Sequence, residues 1–191
     1  MNKIQVVGYD PAFRNFGVAK TFLDIDTLDL EVISLNLCVT EKATAKTVRK
    51  SSDDFRRGQE IYNAMIAGAE GCMYGFAEIP AGSQDYASAR GFGIAIGVLA
   101  AAPIPIIEVS NSEAKIAAVG TRTASKQEMI EWATEKWPNA PWLRARGSAT
   151  GAFTNANEHL ADALAITVAG INTKEFQRTL AFIRQSMKAA A

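Results

Sequence analysis

Residues 160–171 read Leu-Ala-Asp-Ala-Leu-Ala-Ile-Thr-Val-Ala-Gly-Ile, and Asp162 is the only ionisable side chain among them. A helix that is apolar on nearly every side belongs inside a protein, so the rest of the chain has to enclose it. A carboxylate on such a helix needs a cation, a partner or a water-filled pocket, because an unpaired buried charge is very costly. His159, the single histidine of the 191 residues, lies three positions earlier. Residues three apart share a helix face, so His159 and Asp162 can point at one object. A divalent metal is one such object. A core imidazole bonded to backbone, with Asp162 in an ion pair, is the plainer alternative. Glu158, four residues before Asp162, can share the same face and compete with His159 for the role of extra ligand.

The enclosing elements follow from patterning. Residues 4–10 form a β-branched apolar run ending near a turn, and 17–23 and 28–39 read as two further strands, the second antiparallel to the first. Short strands are expected at 74–79 and 104–109. Helices are expected at 55–70, 88–102, 111–119, 126–137 and 173–188, besides the one carrying Asp162. Ser125 is a plausible N-cap. Residues 40–57 hold six Lys or Arg and few large apolar side chains, which suggests a mobile basic loop. Residues 138–154 read as a loop. Three consecutive strands followed by strands alternating with helices predict an α/β fold with a mixed sheet flanked by helices.

Composition narrows the class. The chain is 48% hydrophobic and 21% charged, which is ordinary for a soluble globular domain with a sizeable core. Its 20 basic and 20 acidic residues cancel, so any nucleic-acid site has to come from local clustering. Cys38 and Cys72 lack metal-ligand spacing and are expected to be reduced. The apolar run at 4–7 is too short for a signal-peptide core, and no stretch reaches membrane-spanning length. The expected location is the cytoplasm, with no membrane partner.

Two more carboxylates interrupt apolar strands. Asp10 ends Val6-Val7-Gly8-Tyr9-Asp10, and Glu78 ends Tyr74-Gly75-Phe76-Ala77-Glu78. Singly, Asp10 reads equally as a turn aspartate before Pro11, and Glu78 as a solvated strand-end glutamate. Sites in open α/β sheets gather at strand ends. Carboxylates gathered at one spot repel unless cations bind them, and oxygen ligands suit Mg²⁺ or Mn²⁺. A pair of such ions is the usual device for in-line phosphodiester hydrolysis, one generating the hydroxide and the other stabilising the leaving 3′ oxygen.

In order along the chain, these pieces resemble the RuvC-type Holliday junction resolvases of the ribonuclease H-like superfamily. Gly8-Tyr9-Asp10-Pro11 through Asn15 and Gly17 is similar to the family's first strand-turn motif, and Ala77-Glu78 to its second. Ser110 through Lys115, with Val119 through Lys126, is similar to the S-x-V-K…VG-x-G-x-A-x-K stretch. His159-Leu160-Ala161-Asp162 is similar to the last motif, in which members carry Asp or His before the final Asp. Ala12 replaces a glycine usual after the proline, the segment after Glu78 is short, and 40–57 is longer and more basic than typical; the divergence is of the kind phage-encoded relatives show. The resemblance implies a ribonuclease H-like mixed β-sheet, three antiparallel strands then parallel ones, over residues 1–172, with a helical extension at 173–191. It implies a metal-dependent endonuclease resolving four-way junctions in DNA recombination and repair. Asp10, Glu78 and Asp162 would hold two Mg²⁺ ions, which Mn²⁺ can replace, with His159 as further ligand or proton carrier.

Phosphate contacts to DNA come from Lys and Arg. The candidates are Lys46, Arg49, Lys50, Arg56 and Arg57, then Arg122, Lys126, Arg144 and Arg146. Phe13, Phe16 and Tyr86 are candidates for stacking on bases. Small residues at Ala89, Gly91, Gly93, Ala95 and Gly97 permit close helix approach, and the resembled family dimerises near this region, so a homodimer on branched DNA is expected. A nuclease of the same superfamily acting on flaps, branched DNA or RNA–DNA hybrids would use the same site. A sugar-kinase or actin-like ATPase would need two such domains, and the chain has room for one. No sequence feature points to a partner helicase.

Overall fold

The computed structural model describes residues 2–80, 82, 85–145 and 150–189. Five strands, β1 (Lys3–Pro11), β2 (Asn15–Asp24), β3 (Leu30–Val39), β4 (Tyr74–Glu78) and β5 (Ile106–Val109), form one sheet in the order β3-β2-β1-β4-β5. β1, β2 and β3 pair antiparallel, while β4 and β5 run parallel to β1. This is the mixed sheet the strand pattern predicts. Among the described residues six helices accompany it: α1 (Lys50–Ala69), α2 (Tyr86–Ala100), α3 (Asn111–Val119), α4 (Lys126–Lys136), α5 (Asn157–Ile171) and α6 (Lys174–Ala189).

Alternation along the strands builds two cores. Val7 and Tyr9 of β1 face one way and pack with Phe16, Ile61, Met65 and Leu99, under α1 and α2. Ile4 and Val6 face the other way and pack with Phe76, Leu160, Leu164 and Ile166, under α5. Every residue of α5 is buried except Glu158, His159 and Asp162. The apolar helix is thus enclosed by the sheet, α3 and α4, and its three ionisable side chains stay on the one accessible face.

Two glycines set how close α5 lies. A Cβ at Gly8 would run into the Ala163 carbonyl and the Thr167 hydroxyl, and one at Gly17 into the His159 carbonyl. The helix axis is therefore pressed against β1 and β2 at the level of its first two turns. Asn157, fully buried, ties the start of α5 to the preceding loop: its Nδ2 donates to the carbonyls of Leu143 (2.7 Å) and Thr154 (3.1 Å), and its Oδ1 accepts from Leu143 N–H (2.8 Å).

One expectation is corrected. The basic stretch 40–57 is not one loop, because α1 begins at Lys50. Its first turns hold buried Asp53 and Asp54, which pair with arginines, and buried Arg57, which stacks on Phe13, so they leave no hydrophobic periodicity. Within the stretch read as loop, an isolated bridge pairs Arg144 with Phe153. The final helix contributes to the same core as the rest: Phe176 and Leu180 are fully buried, and the Phe176 ring meets Phe76 edge-on at 5.1 Å. Among the described residues no helix is long and apolar enough to cross a membrane.

Candidate active site

Register brings the strand carboxylates together. Tyr9 of β1 is aligned with Ala77 of the parallel neighbour β4, so Asp10 and Glu78 are the next residues on adjacent strands, at the carboxyl end of both. They point to the α5 side of the sheet, the side Gly8 and Phe76 face. The first two turns of α5 overhang this end and bring Glu158, His159 and Asp162 to it. The sequence alone offered these as separate signals; pairing and packing make them one cluster.

His159 bridges the two halves. Its Nδ1 lies 2.6 Å from Asp10 Oδ2, and its Nε2 lies 3.1 Å from the Asn15 amide and 3.5 Å from Glu158 Oε1. Burial pushes the imidazole pKa down, but the Asp10 carboxylate, helped by Glu158 and Asp162, outweighs it and leaves the net shift upward. Asp162 shows the charge density most plainly. Burial, then Asp10, with Glu158 and Glu78 adding, raises its pKa from 3.8 to about 7 against the opposing pull of His159. Glu78 is also raised, first by burial and further by Asp10, while Asn111 and Lys115 oppose. Asn111, the first residue of α3, donates to Glu78 Oε2 at 3.0 Å. Lys126, at the start of α4, pairs with Glu158 at 2.7 Å.

The donor set fits hard divalent cations: three half-buried carboxylates that destabilise one another, with an imidazole and a fourth carboxylate at the edge. Among the described residues no three carboxylate, imidazole or thiolate groups form a ready cage as they stand. The Asp10–His159 bond occupies one of the two Asp10 oxygens. A depression of about 260 Å³, lined by Asp10, Pro11, Ala12, Glu78 and Phe92 among others, opens in front of the strand ends.

The candidate DNA contacts divide. Lys46, Arg49 and Lys50 are exposed, as are Arg122 and Lys126. Arg57 is not available as a surface contact. It is 4% exposed, stacked 3.9 Å from the Phe13 ring centroid and bonded through Nε to Thr40 Oγ1 at 3.0 Å. Arg56 is half-exposed but held by Asp53 at 2.8 Å and by Glu60. Arg144 covers the Phe153 ring and donates to the Gly151 carbonyl. Arg146 lies outside the described residues. Phe16 is fully buried against Tyr9, so it belongs to the core and not to a stacking surface, whereas Tyr86 is 77% exposed. Asn15 and Asn111 were not singled out by sequence as site residues. Both are neutral amides, and only their place beside the motif residues hints at a role.

The fold has close counterparts of known structure. A Thermus thermophilus RuvC solved in complex with Holliday junction substrate superposes with a TM-score of 0.61, covering 87% of this chain and 92% of that one at 18% identity. Another Thermus thermophilus RuvC structure gives 0.60 at 17% identity over the same shares. The chain therefore has a ribonuclease H-like α/β fold. More narrowly, that fold is the RuvC type. No protein-family model and no curated protein sequence matches it.

Proposed function

We propose that the protein is a structure-selective DNA endonuclease that hydrolyses phosphodiester bonds in four-way junctions, as a homodimer, in recombination or repair. The observation that carries this is the convergence of Asp10, Glu78 and Asp162 at one end of a RuvC-type sheet, close enough that Asp10 and Glu78 both raise the pKa of Asp162 and Asp10 raises that of Glu78. Bound divalent cations would supply acidity to the attacking water and charge stabilisation at the leaving oxygen. Asp10, Glu78 and Asp162 would hold them, two Mg²⁺ or Mn²⁺ ions, with His159 orienting Asp10 and able to carry a proton. Asn111 and Asn15 fix the rotamers of Glu78 and His159. Lys126 keeps Glu158 from adding its full charge to the cluster. The products would carry 5′-phosphate and 3′-hydroxyl ends, and no covalent enzyme intermediate is involved. Open space over Gly93 and Gly97 on α2 supports close approach of a second copy. The exposed Lys46, Arg49, Lys50, Arg122 and Lys126 supply phosphate contacts.

A panel of labelled four-way junction, flap, RNA–DNA hybrid and linear duplex, each with and without Mg²⁺, tests the substrate. Symmetric nicks in the junction are expected. Preferential cutting of the flap or hybrid would transfer the same chemistry to another substrate and refute the junction assignment.

A further inference from the structure

The chain as a whole is electrically balanced, but one cavity beside the site is not. It measures about 270 Å³ and lies between the Pro11–Arg14 turn, the start of α1 and the first turns of α2. Arg14, Lys42, Lys50, Arg57 and Arg90 line it, and no carboxylate does. A second cavity shares Lys42, Lys50, Arg57 and Arg90 with it; the carboxylates there, Asp53 and Asp54, are already paired with Arg56 and Arg90. Two of the cations are held in place by the fold. Arg57 is buried under Phe13 and Thr40, and Arg90 carries a buried Nε with no hydrogen-bond partner among the described residues.

Arg90 is offset by Asp54 behind the cavity, but Arg14, Lys42, Lys50 and Arg57 have no ion-pair partner among the described residues, so the cavity presents net positive charge that favours an anion. Its size is at the low end for a small-molecule site, so it suits a phosphate with part of its sugar better than a whole cofactor. The N-terminal end of α1, a 20-residue helix with no side-chain cap, adds a positive dipole end on the same side, whereas that of α2 is already capped by Asp85, whose carboxylate accepts from Ser88 N–H. Phe92 lines both this cavity and the depression that holds Asp10 and Glu78, and Phe13 and Arg14 follow Asp10 on the same turn.

We infer that this cavity is a phosphate subsite that grips the backbone of the bound strand next to the scissile phosphate and sets which linkage reaches the carboxylates. The inference rests on the nuclease reading above and assigns a position on its substrate. Arg57 and Arg90 form the fixed floor; Arg14 and Lys50 are the exposed arms that close on the phosphate.

The test is fluorescence anisotropy of a labelled four-way junction in EDTA, where nothing is cut. It uses wild type, Arg14→Ala, Lys50→Ala and the charge-keeping Lys50→Arg. Both alanine variants should bind about tenfold more weakly and lower the salt slope by about one, and Lys50→Arg should restore most of the affinity. A single neutral methylphosphonate placed at each linkage around the cut site should reproduce that loss at one position only. At that position the alanine variants should lose nothing further. Variants that are folded and bind like wild type, or losses that multiply at every position, would overturn the subsite. Competition by millimolar inorganic phosphate or adenosine monophosphate with no position-dependent methylphosphonate effect would overturn the strand assignment in favour of a free anion. A wild type that binds and cuts DNA while the variants are unaffected sinks this inference alone; a wild type that neither binds nor cuts any DNA overturns the nuclease reading as well.

Discussion

Replacing Asp162 with Asn should make the metal-free protein more stable at neutral to alkaline pH while removing its response to metal. The reason is the charge Asp162 carries against its surroundings. Its pKa stands at about 7 in the folded chain, up from 3.8. Between those values the folded state holds a proton that the unfolded state has released, so stability falls as pH rises through that window. At about 1.4 kcal/mol per tenfold, the full shift corresponds to roughly 4 kcal/mol of destabilisation above pH 7. The amide of Asn is itself desolvated, at a cost of about 1–2 kcal/mol. A net gain of about 2 kcal/mol is therefore expected, or about 4–8 °C in Tm for a chain of this size. Thermal melts in EDTA at pH 8 and pH 4.5 read it. The variant should melt higher than wild type at pH 8 and close to it at pH 4.5, where Asp162 is protonated in the folded state. Adding Mg²⁺ at pH 8 should raise the wild-type Tm and leave the variant nearly unmoved. A variant less stable than wild type at pH 8 in EDTA, or an offset that ignores pH, would refute the reasoning.

Further expectations follow from the same geometry. His159, observed by NMR in the metal-free protein, should titrate above its ordinary 6.5, and Asp10→Asn should bring it down; the stability its partner lends is present below about 6.5 and is lost as pH rises through the folded value. An unchanged titration in Asp10→Asn would contradict the bond. Gly8→Ala should cost about 3 kcal/mol or prevent folding, because α5 would have to leave the sheet, and a denaturant melt checks it. Asn157→Ala should cost about 2–3 kcal/mol and expose the Leu143 amide to hydrogen exchange, since three buried bonds are lost.

Much of this architecture is legible in the chain because its signals are periodic. Three consecutive apolar strands declare the antiparallel half of the sheet, and the run from Leu160 to Ile171 declares a buried helix. Asp10, Glu78 and Asp162 stand out as charges where apolar residues are the rule. Their convergence is not legible, since it depends on which residue of β1 sits beside which residue of β4, and one step of register separates a shared site from two unrelated carboxylates. The start of α1 is hidden for a different reason. Asp53, Asp54 and Arg57 are buried through ion pairs and ring stacking, and in sequence they look like a solvated run. The same contacts turn Arg57 from an expected surface cation into part of a cavity floor. Asn15 and Asn111 carry no charge and no periodicity, so only the folded chain reveals that they hold His159 and Glu78.

The central claim is that the ends of β1 and β4 and the first two turns of α5 form a single metal-dependent hydrolytic centre. Cleavage of a labelled four-way junction by wild type, Asp10→Asn, Glu78→Gln and Asp162→Asn across a Mg²⁺ series tests it most directly. Wild type should cut only with Mg²⁺ or Mn²⁺, and each variant should lose about 10³-fold or more in rate while binding the junction within about threefold of wild type. Cutting that persists in EDTA, or any one of the three variants that cuts at close to the wild-type rate, would contradict it.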